Sequence, residues 1–264
     1  MFNNTLWFLN SILTTKKMLT IVAVLFGFAI LNFISLSSTP SLNFTVLDFG
    51  IYSLIGYGQG YFSIIEFLRL LILNMFPVYI IGIVLSEDSF KNHMLGIRFK
   101  SIRKNFVNMQ GAYFLFLSSY VIIYLILTFI VGGIFASTGI TADFWEVLAE
   151  VAPDSLLNLS PILMIIIGGF LRILELMLLQ MIFTVICVFS KSTIVSFLLV
   201  GGLHVLLLFD LGSFFPIGVS SIMRLLVLDN DYKTACLKAL SLLSCSYLVG
   251  FSIIYFKSYK RLFL

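Results

Sequence analysis

The chain alternates between long apolar runs and short polar connectors. Six runs stand out: Met18–Leu36, Ser63–Leu85, Ala112–Phe135, Pro161–Phe189, Ile194–Phe209 and Ala239–Phe256. Most approach the roughly 20 apolar residues that a helix needs to cross a bilayer. None shows the period-two alternation of a membrane β-barrel, whose strands are about 10 residues long. The pattern predicts an all-α, polytopic membrane protein with six transmembrane helices in one domain covering residues 1–264. Pro77 falls inside the second run, where a neighbouring helix can satisfy the carbonyl that proline frees. The fourth run is long enough to tilt. The fifth is short, and Asp210, Gly212, Pro216 and Gly218 follow it. Phe214–Leu228 is too broken for a full crossing and is read as a re-entrant or interfacial segment.

The connectors differ in character. Phe2–Leu13 sets Phe2, Leu6, Trp7, Leu9 and Leu13 among Asn, Ser and Thr. That spacing predicts an amphipathic helix lying in the membrane interface beside Lys16 and Lys17. Ser37–Phe62 reads as a loop without Lys or Arg, and Ser137–Asn158 as an acidic loop. Ser86–Gly111 is the strongly charged stretch. With the N-terminus inside, the cytoplasmic pieces hold Lys16, Lys17, Lys91, Arg98, Lys100, Arg103, Lys104, Lys191, Lys257, Lys260 and Arg261. The outer pieces hold Arg224, Lys233 and Lys238. This imbalance places both termini in the cytoplasm. The run after Lys16–Lys17 is longer than a signal-peptide core, so it is expected to remain as a span.

Composition agrees and excludes other classes. Apolar residues make up 60% of the 264 and charged residues 11%, against about 25% charged in soluble domains. The mean hydropathy is +1.11. Cys187, Cys236 and Cys245 form no CxxC pair, so neither a disulfide framework nor a zinc site is expected. The net charge of +4 is small and follows topology, which argues against a nucleic-acid partner. Acidic residues are too scattered for a metal site, and no intramembrane protease pattern occurs. The chain also lacks a GxxxxGK[ST] phosphate loop, so it is not expected to be its own ATPase; neither an enzyme activity nor a cofactor in this chain is expected.

Two kinds of feature remain as candidate chemistry. In Ser86–Gly111, Ser86 or Asp88 is suited to cap a short helix on which Phe90, Met94 and Ile97 share a face. Such a ridge fits a groove on a soluble partner, and the basic run Arg98–Lys104 fits the anionic lipid surface. Within the spans, Glu66 with Arg69 and Arg172 with Glu175 form two i, i+3 charge pairs. Intramembrane charges are costly, about 2.5–3.5 kcal/mol at a helix centre. These pairs therefore read as a polar pathway lining or as a structural lock. His204 reads as a packed, hydrogen-bonded histidine, since only Asp210 is near it in its own run. Gly132–Gly133, Gly168–Gly169 and Gly201–Gly202 read as sites of close helix approach.

The layout resembles the membrane subunit of an ABC-2-type transporter, the permease family of many bacterial exporters. The resemblance rests on the interfacial N-terminal helix, the six runs, and the charged first cytoplasmic stretch. It rests also on the Arg-x-Lys-Ser-x-Arg-Lys run at Arg98–Lys104 and the broken segment before the last run. It implies export of a hydrophobic or amphipathic substrate, with peptides, bacteriocins and drugs as the leading classes, across the plasma membrane. It implies a separate ABC ATPase subunit holding ATP and Mg²⁺, docked on Phe90, Met94, Ile97 and Arg98 with a second contact at Lys191. It further implies a second permease copy or a sister permease embedded beside it in the lipid bilayer. Two other readings stand beside this one. One is a non-transporting immunity or interaction protein. The other is an ion-coupled transporter using the Arg172–Glu175 region.

Overall fold

The computed structural model describes residues 2–37, 45–55, 64–98, 102–135, 160–206, 215–229 and 231–258. Nine α-helices and no β-strand occur among them: α1 (Phe2–Ile12), α2 (Thr15–Ser37), α3 (Val46–Ile55), α4 (Ile64–Arg98), α5 (Ile102–Phe135), α6 (Pro161–Ser190), α7 (Thr193–Val205), α8 (Ile222–Leu228) and α9 (Tyr232–Ile253). A π-helical turn, Ile254–Ser258, extends α9. Among the described residues, five helices are long and apolar enough to cross a membrane: α2, α4, α5, α6 and α9. The chain is a multi-pass membrane protein. α7 is equally apolar but has only 13 residues, and the rest of the predicted fifth run lies partly outside the described residues.

Where the described helices depart from the sequence reading, a local cause is visible. Ser37–Phe62 is not simply a loop, because α3 lies within it. Thr45 and Asp48 form a capping box: Asp48 Oδ2 accepts from Thr45 N at 2.7 Å and from Thr45 Oγ1 at 2.9 Å. Phe49, Ile51 and Leu54 on α3 are almost fully buried. Nor does a separate short helix follow the second run. α4 continues unbroken from Ile64 to Arg98, so neither Ser86 nor Asp88 is a cap. Ser86–Leu95 contains no proline or glycine, and Glu87 and Lys91 stand at the helix-supporting i, i+4 spacing.

The third span starts earlier than Ala112, because the apolar helix begins at Phe106. Asn108 and Gln110 looked like loop residues in sequence, but they are buried against neighbours. The last helix starts at Tyr232, not Ala239. Asp231 caps it by accepting from Thr234 N at 3.0 Å, which puts Lys233 and Lys238 on its first turns. The connection from α6 to α7 is as tight as expected. Lys191 ends α6 in the left-handed conformation (φ 54°), and Ser192 caps α7 through Val195 N.

α6 is the hub. One hydrophobic core gathers α1, α2, α4, α5, α6 and α7, with Leu25, Ile81, Phe116 and Phe183 fully enclosed. A second gathers α3, α6, α8 and α9. Lipid tails are as apolar as leucine, so close packing and hydrogen bonds supply the association energy. Gly50 and Gly168 let α3 lie against α6. A Cβ at Gly50 would sit 2.7 Å from Ile165 Cδ1, and one at Gly168 would sit 2.9 Å from Leu54 Cδ1. Of the other glycines flagged by sequence, Gly132 abuts Phe49 and Gly169 abuts Leu125, whereas Gly133 and Gly202 face open space. The outer faces carry Leu19, Ile122, Ile126, Ile130, Ile166 and Phe170. Asn32, Arg69, Asn74, Arg172, Glu175 and His204 are turned inward, as hydrocarbon surroundings require.

Candidate functional site

The centre of the polar interior starts from a proline. Pro77 lies inside α4 and has no N–H for the carbonyl four residues back, that of Leu73. Tyr120 of α5 fills the gap, its hydroxyl donating to Leu73 O at 3.0 Å. The next residue, Asn74, is fully buried and points its amide between α6 and α7. Its Oδ1 accepts from Arg172 Nη1 at 3.0 Å. Its Nδ2 donates to Glu175 Oε1 at 3.1 Å and approaches His204 Nε2 at 3.3 Å. The amide orientation follows from the chemistry, because only Oδ1 can accept from a guanidinium. His204 Nε2 is then the acceptor. The ring hydrogen sits on Nδ1 and donates to Val200 O at 3.1 Å, which makes the imidazole neutral in this arrangement.

Glu175 has further partners. Oε1 also accepts from Gly218 N at 2.9 Å, and Oε2 accepts from Ser220 N at 2.9 Å. These N–H groups belong to the turn that precedes α8. Gly218 adopts φ 81° there, a left-handed conformation that glycine takes without a Cβ penalty. Alternating backbone conformations of this kind aim successive N–H groups at one anion. Ile217, Gly218, Val219, Ser220 and Ser221 are all buried. Their backbone is not helical, so each inward N–H needs a partner, and Glu175 supplies two. Glu175 lies at the middle of the 30-residue α6. The turn therefore reaches the depth of that helix's centre, and His204, near the end of α7, is at the same level.

The structure brings Arg172 and Glu175 into one cluster, though not as a direct ion pair. Asn74 stands between them and bonds both. The other predicted pair behaves differently. Glu66 lies on α4, with its side chain outside the described residues. Arg69 donates to Asn32 Oδ1 at 2.7 Å and to Tyr52 O at 3.2 Å, and its guanidinium sits 4.6 Å from the Tyr52 ring centre. Asn32 in turn donates to Tyr124 Oη at 2.9 Å, and the Tyr52 hydroxyl is 2.7 Å from Ser35 Oγ. This second centre ties α2, α3, α4 and α5 together. Phe90, Met94, Ile97 and Arg98 lie on the far part of α4, with side chains outside the described residues. They are more than 20 Å along the helix from Asn74, at about 1.5 Å per residue.

Sequence reasoning missed Asn74, Tyr120, Asn32 and the Gly218–Ser220 backbone. A signal existed for Asn74, as the lone amide in the otherwise apolar stretch Leu70–Leu85 and three residues before Pro77. No such signal marked Gly218 N and Ser220 N, which any residue could supply. An apolar groove of about 570 Å³ opens between α4 and α7, lined by Met75, Tyr79, Phe197, Leu198, Gly201 and Gly202. Among the described residues, no three His, Cys, Asp or Glu side chains gather as metal ligands would. Compared with known proteins, the chain matches no family model, no curated protein and no solved structure.

Proposed function

We propose that this chain is the permease subunit of an ATP-driven ABC-2-type exporter, one half of a pathway for a hydrophobic or amphipathic cargo such as a peptide, bacteriocin or drug. The observation that carries the reading is the buried, non-helical turn at Gly218–Ser220, pinned by Glu175 at the centre of α6. A protein that only anchors itself has no need of charged groups and irregular backbone at that depth, where both are costly. Discontinuous segments at mid-membrane are where transporters handle what they move. In this reading α7 and α8 together make a sixth crossing, with residues 215–221 dipping to mid-depth as a re-entrant element. Six crossings put both termini on one side, the cytoplasmic one by the Lys and Arg bias, in the plasma membrane. α1 lies along the inner interface. The groove between α4 and α7 offers an apolar cargo a way in from the lipid.

The arm that α4 extends beyond Leu85 is about 20 Å long, and α5 starts at Ile102. We assign this arm as the docking site of a separate ATPase, which binds ATP and Mg²⁺, with contacts from Phe90, Met94, Ile97 and Arg98. A second copy or a sister permease supplies the other half-pathway. The test is purification from the native membrane in mild detergent, followed by identification of the bound partners. An ATPase recovered in stoichiometric amount, and lost when Phe90, Met94 and Ile97 are made polar, is the expected result. Met94→Asp should leave the membrane subunits assembled while ATP hydrolysis no longer drives transport. Recovery of this chain alone, repeated in lipid nanodiscs, overturns the reading in favour of an immunity protein or an ion-coupled transporter.

A further inference from the structure

We propose that Arg172 is a carboxylate-binding site for a ligand that carries an acid group on an apolar body. A guanidinium has five N–H donors. Arg172 spends one of them, from Nη1 to Asn74 Oδ1 at 3.0 Å, and among the described residues the other four have no acceptor. The neighbouring acceptors are committed elsewhere. Glu175 Oε1 accepts from Asn74 and Gly218, and Oε2 accepts from Ser220. His204 Nε2 faces the Asn74 amide, and the Tyr120 hydroxyl is turned to Leu73 O. Glu175 thus serves the Gly218–Ser220 turn and not Arg172. An arginine buried one turn from the middle of α6 needs its donors met, and the described chain leaves most of them to something else.

Which donors are idle decides the chemistry of the ligand. With Nη1 engaged, the intact edge is that of Nε and Nη2, whose N–H bonds run parallel. Two parallel donors match the two oxygens of a carboxylate, the fork geometry that separates arginine from lysine. The edge is also within reach. Arg172 keeps 7% of its surface exposed, and neither Nε nor Nη2 is among the fully enclosed polar atoms without a partner, so both border space that a water-sized group can enter. Asn74 bonds the opposite side of the guanidinium, which leaves Glu175 the more distant charge for an anion on the free edge, and Coulomb forces weaken with distance. Depth selects the rest of the ligand. The surroundings there are hydrocarbon, so the body that brings the acid group has to be apolar. Arg69 is the contrast. It spends Nη1 on Asn32 Oδ1 and Nη2 on Tyr52 O, so the same edge is already engaged.

The experiment treats the full chain in lipid nanodiscs with butanedione, which modifies guanidinium groups, and reads each arginine by mass spectrometry of its peptides. Arg172 is expected to react. A carboxylate probe at about ten times its dissociation constant should slow that reaction about tenfold, with Arg69 unaffected. Two probe pairs identify the body: decanoate against decanol, and N-acetylated trileucine against its C-terminal amide. Protection by decanoate alone marks a fatty-acid ligand, and protection by the free-acid peptide alone marks a peptide C-terminus. Protection by both marks a site that reads the carboxylate whatever carries it. An Arg172 that never reacts overturns the proposal. So does a reaction that no carboxylate slows, as with water alone at the edge, or equal protection by decanol or the amide. Thermal unfolding gives a second readout. The protecting acid should raise the midpoint of the native chain, and raise it much less in Arg172→Lys, which keeps the charge and loses the fork. An equal rise in Arg172→Lys overturns the proposal, and the native-chain protection stands as a test if that variant fails to fold. Calling the ligand cargo rests on the export reading, whereas its binding does not. No ATPase or transport is involved, so failure here leaves the export reading standing, and protection without a co-purified ATPase counts only against export.

Discussion

α4 carries two polar centres five residues apart, and each buries an arginine. Arg69 holds the Asn32 amide, the Tyr52 carbonyl and the Tyr52 ring. Each of these bonds links one regular helix to another. Around Arg172 the arrangement contains an acid, a histidine and two N–H groups of a turn that has no helix to belong to. The first centre is cross-bracing among α2, α3, α4 and α5. The second makes irregular backbone tolerable inside the membrane, because one carboxylate accepts from the turn's N–H groups. Buried arginine alone therefore does not mark function in this protein. What distinguishes the Glu175 centre is dependence of the backbone conformation on one ionisable side chain.

The largest expected effect separates the two centres by replacement of their charges. Glu175→Ala leaves Arg172 uncompensated and orphans the turn's N–H groups, for a cost of about 3–5 kcal/mol. Arg69→Met removes the hydrogen bonds to Asn32 and Tyr52 and should cost about 1–3 kcal/mol. Thermal unfolding of both variants in nanodiscs checks the ranking, and the comparison breaks if Arg69→Met is the more damaging.

The next effect concerns the brace that presents Asn74. Tyr120→Phe leaves the Leu73 carbonyl without a donor, at about 1–3 kcal/mol. In a Pro77→Ala background the helix supplies its own N–H, so most of that cost should vanish. A double-mutant cycle is expected to show coupling of about 1 kcal/mol or more, and additivity would remove the proline from the account.

A steric test sharpens the division further. Gly50→Leu pushes α3, and Tyr52 with it, away from α6, at about 1–3 kcal/mol. It should loosen the Arg69 centre, which thermal unfolding of the variant in nanodiscs would register as a lower midpoint. Gly202→Ala meets open space and exchanges glycine for a better helix former, a change of up to about 1 kcal/mol in favour of folding. The smallest effect lies outside both centres. The Thr234 hydroxyl, then the Thr234 N–H, holds the exposed Asp231 carboxyl below its usual range. That contribution is present above the carboxyl's unfolded value and disappears as pH falls through the lower, folded one. The protection factor of the Thr234 amide, its exchange corrected for the intrinsic pH dependence, should fall on acidification through that window, and Asp231→Ala should lower it at all pH values.

Much of the fold was legible. The long apolar runs located α2, α4, α5 and α6 because helices in hydrocarbon must be apolar at nearly every exposed position, and that leaves a signal no local context erases. Pro77 and its need for an outside donor were legible too. α3 was missed because its Gly50, Tyr52 and Ser53 look like loop composition, although the Thr45–Asp48 capping box stood in plain view. The α4 arm was misread because its charges suggested a boundary, whereas charge marks where the membrane ends and not where the helix does. For the site, Arg172 and Glu175 were visible as charges in an apolar run. Their mediator was not, since an amide becomes a bridge only when another helix brings the ions to it.

By itself the sequence determined that the chain lives in a membrane, which segments are long enough to cross it, and which few charges had to be hidden there. Those are properties of length and transfer energy, and they act residue by residue. Only the tertiary structure decided that Asn74, Glu175 and His204 share one network from three helices. Only it decided that Glu175 accepts from Gly218 and Ser220, more than 40 positions away. Backbone N–H groups are the same in every residue but proline, so the partner of a buried carboxylate is selected by packing geometry, and a local pattern holds no record of that choice.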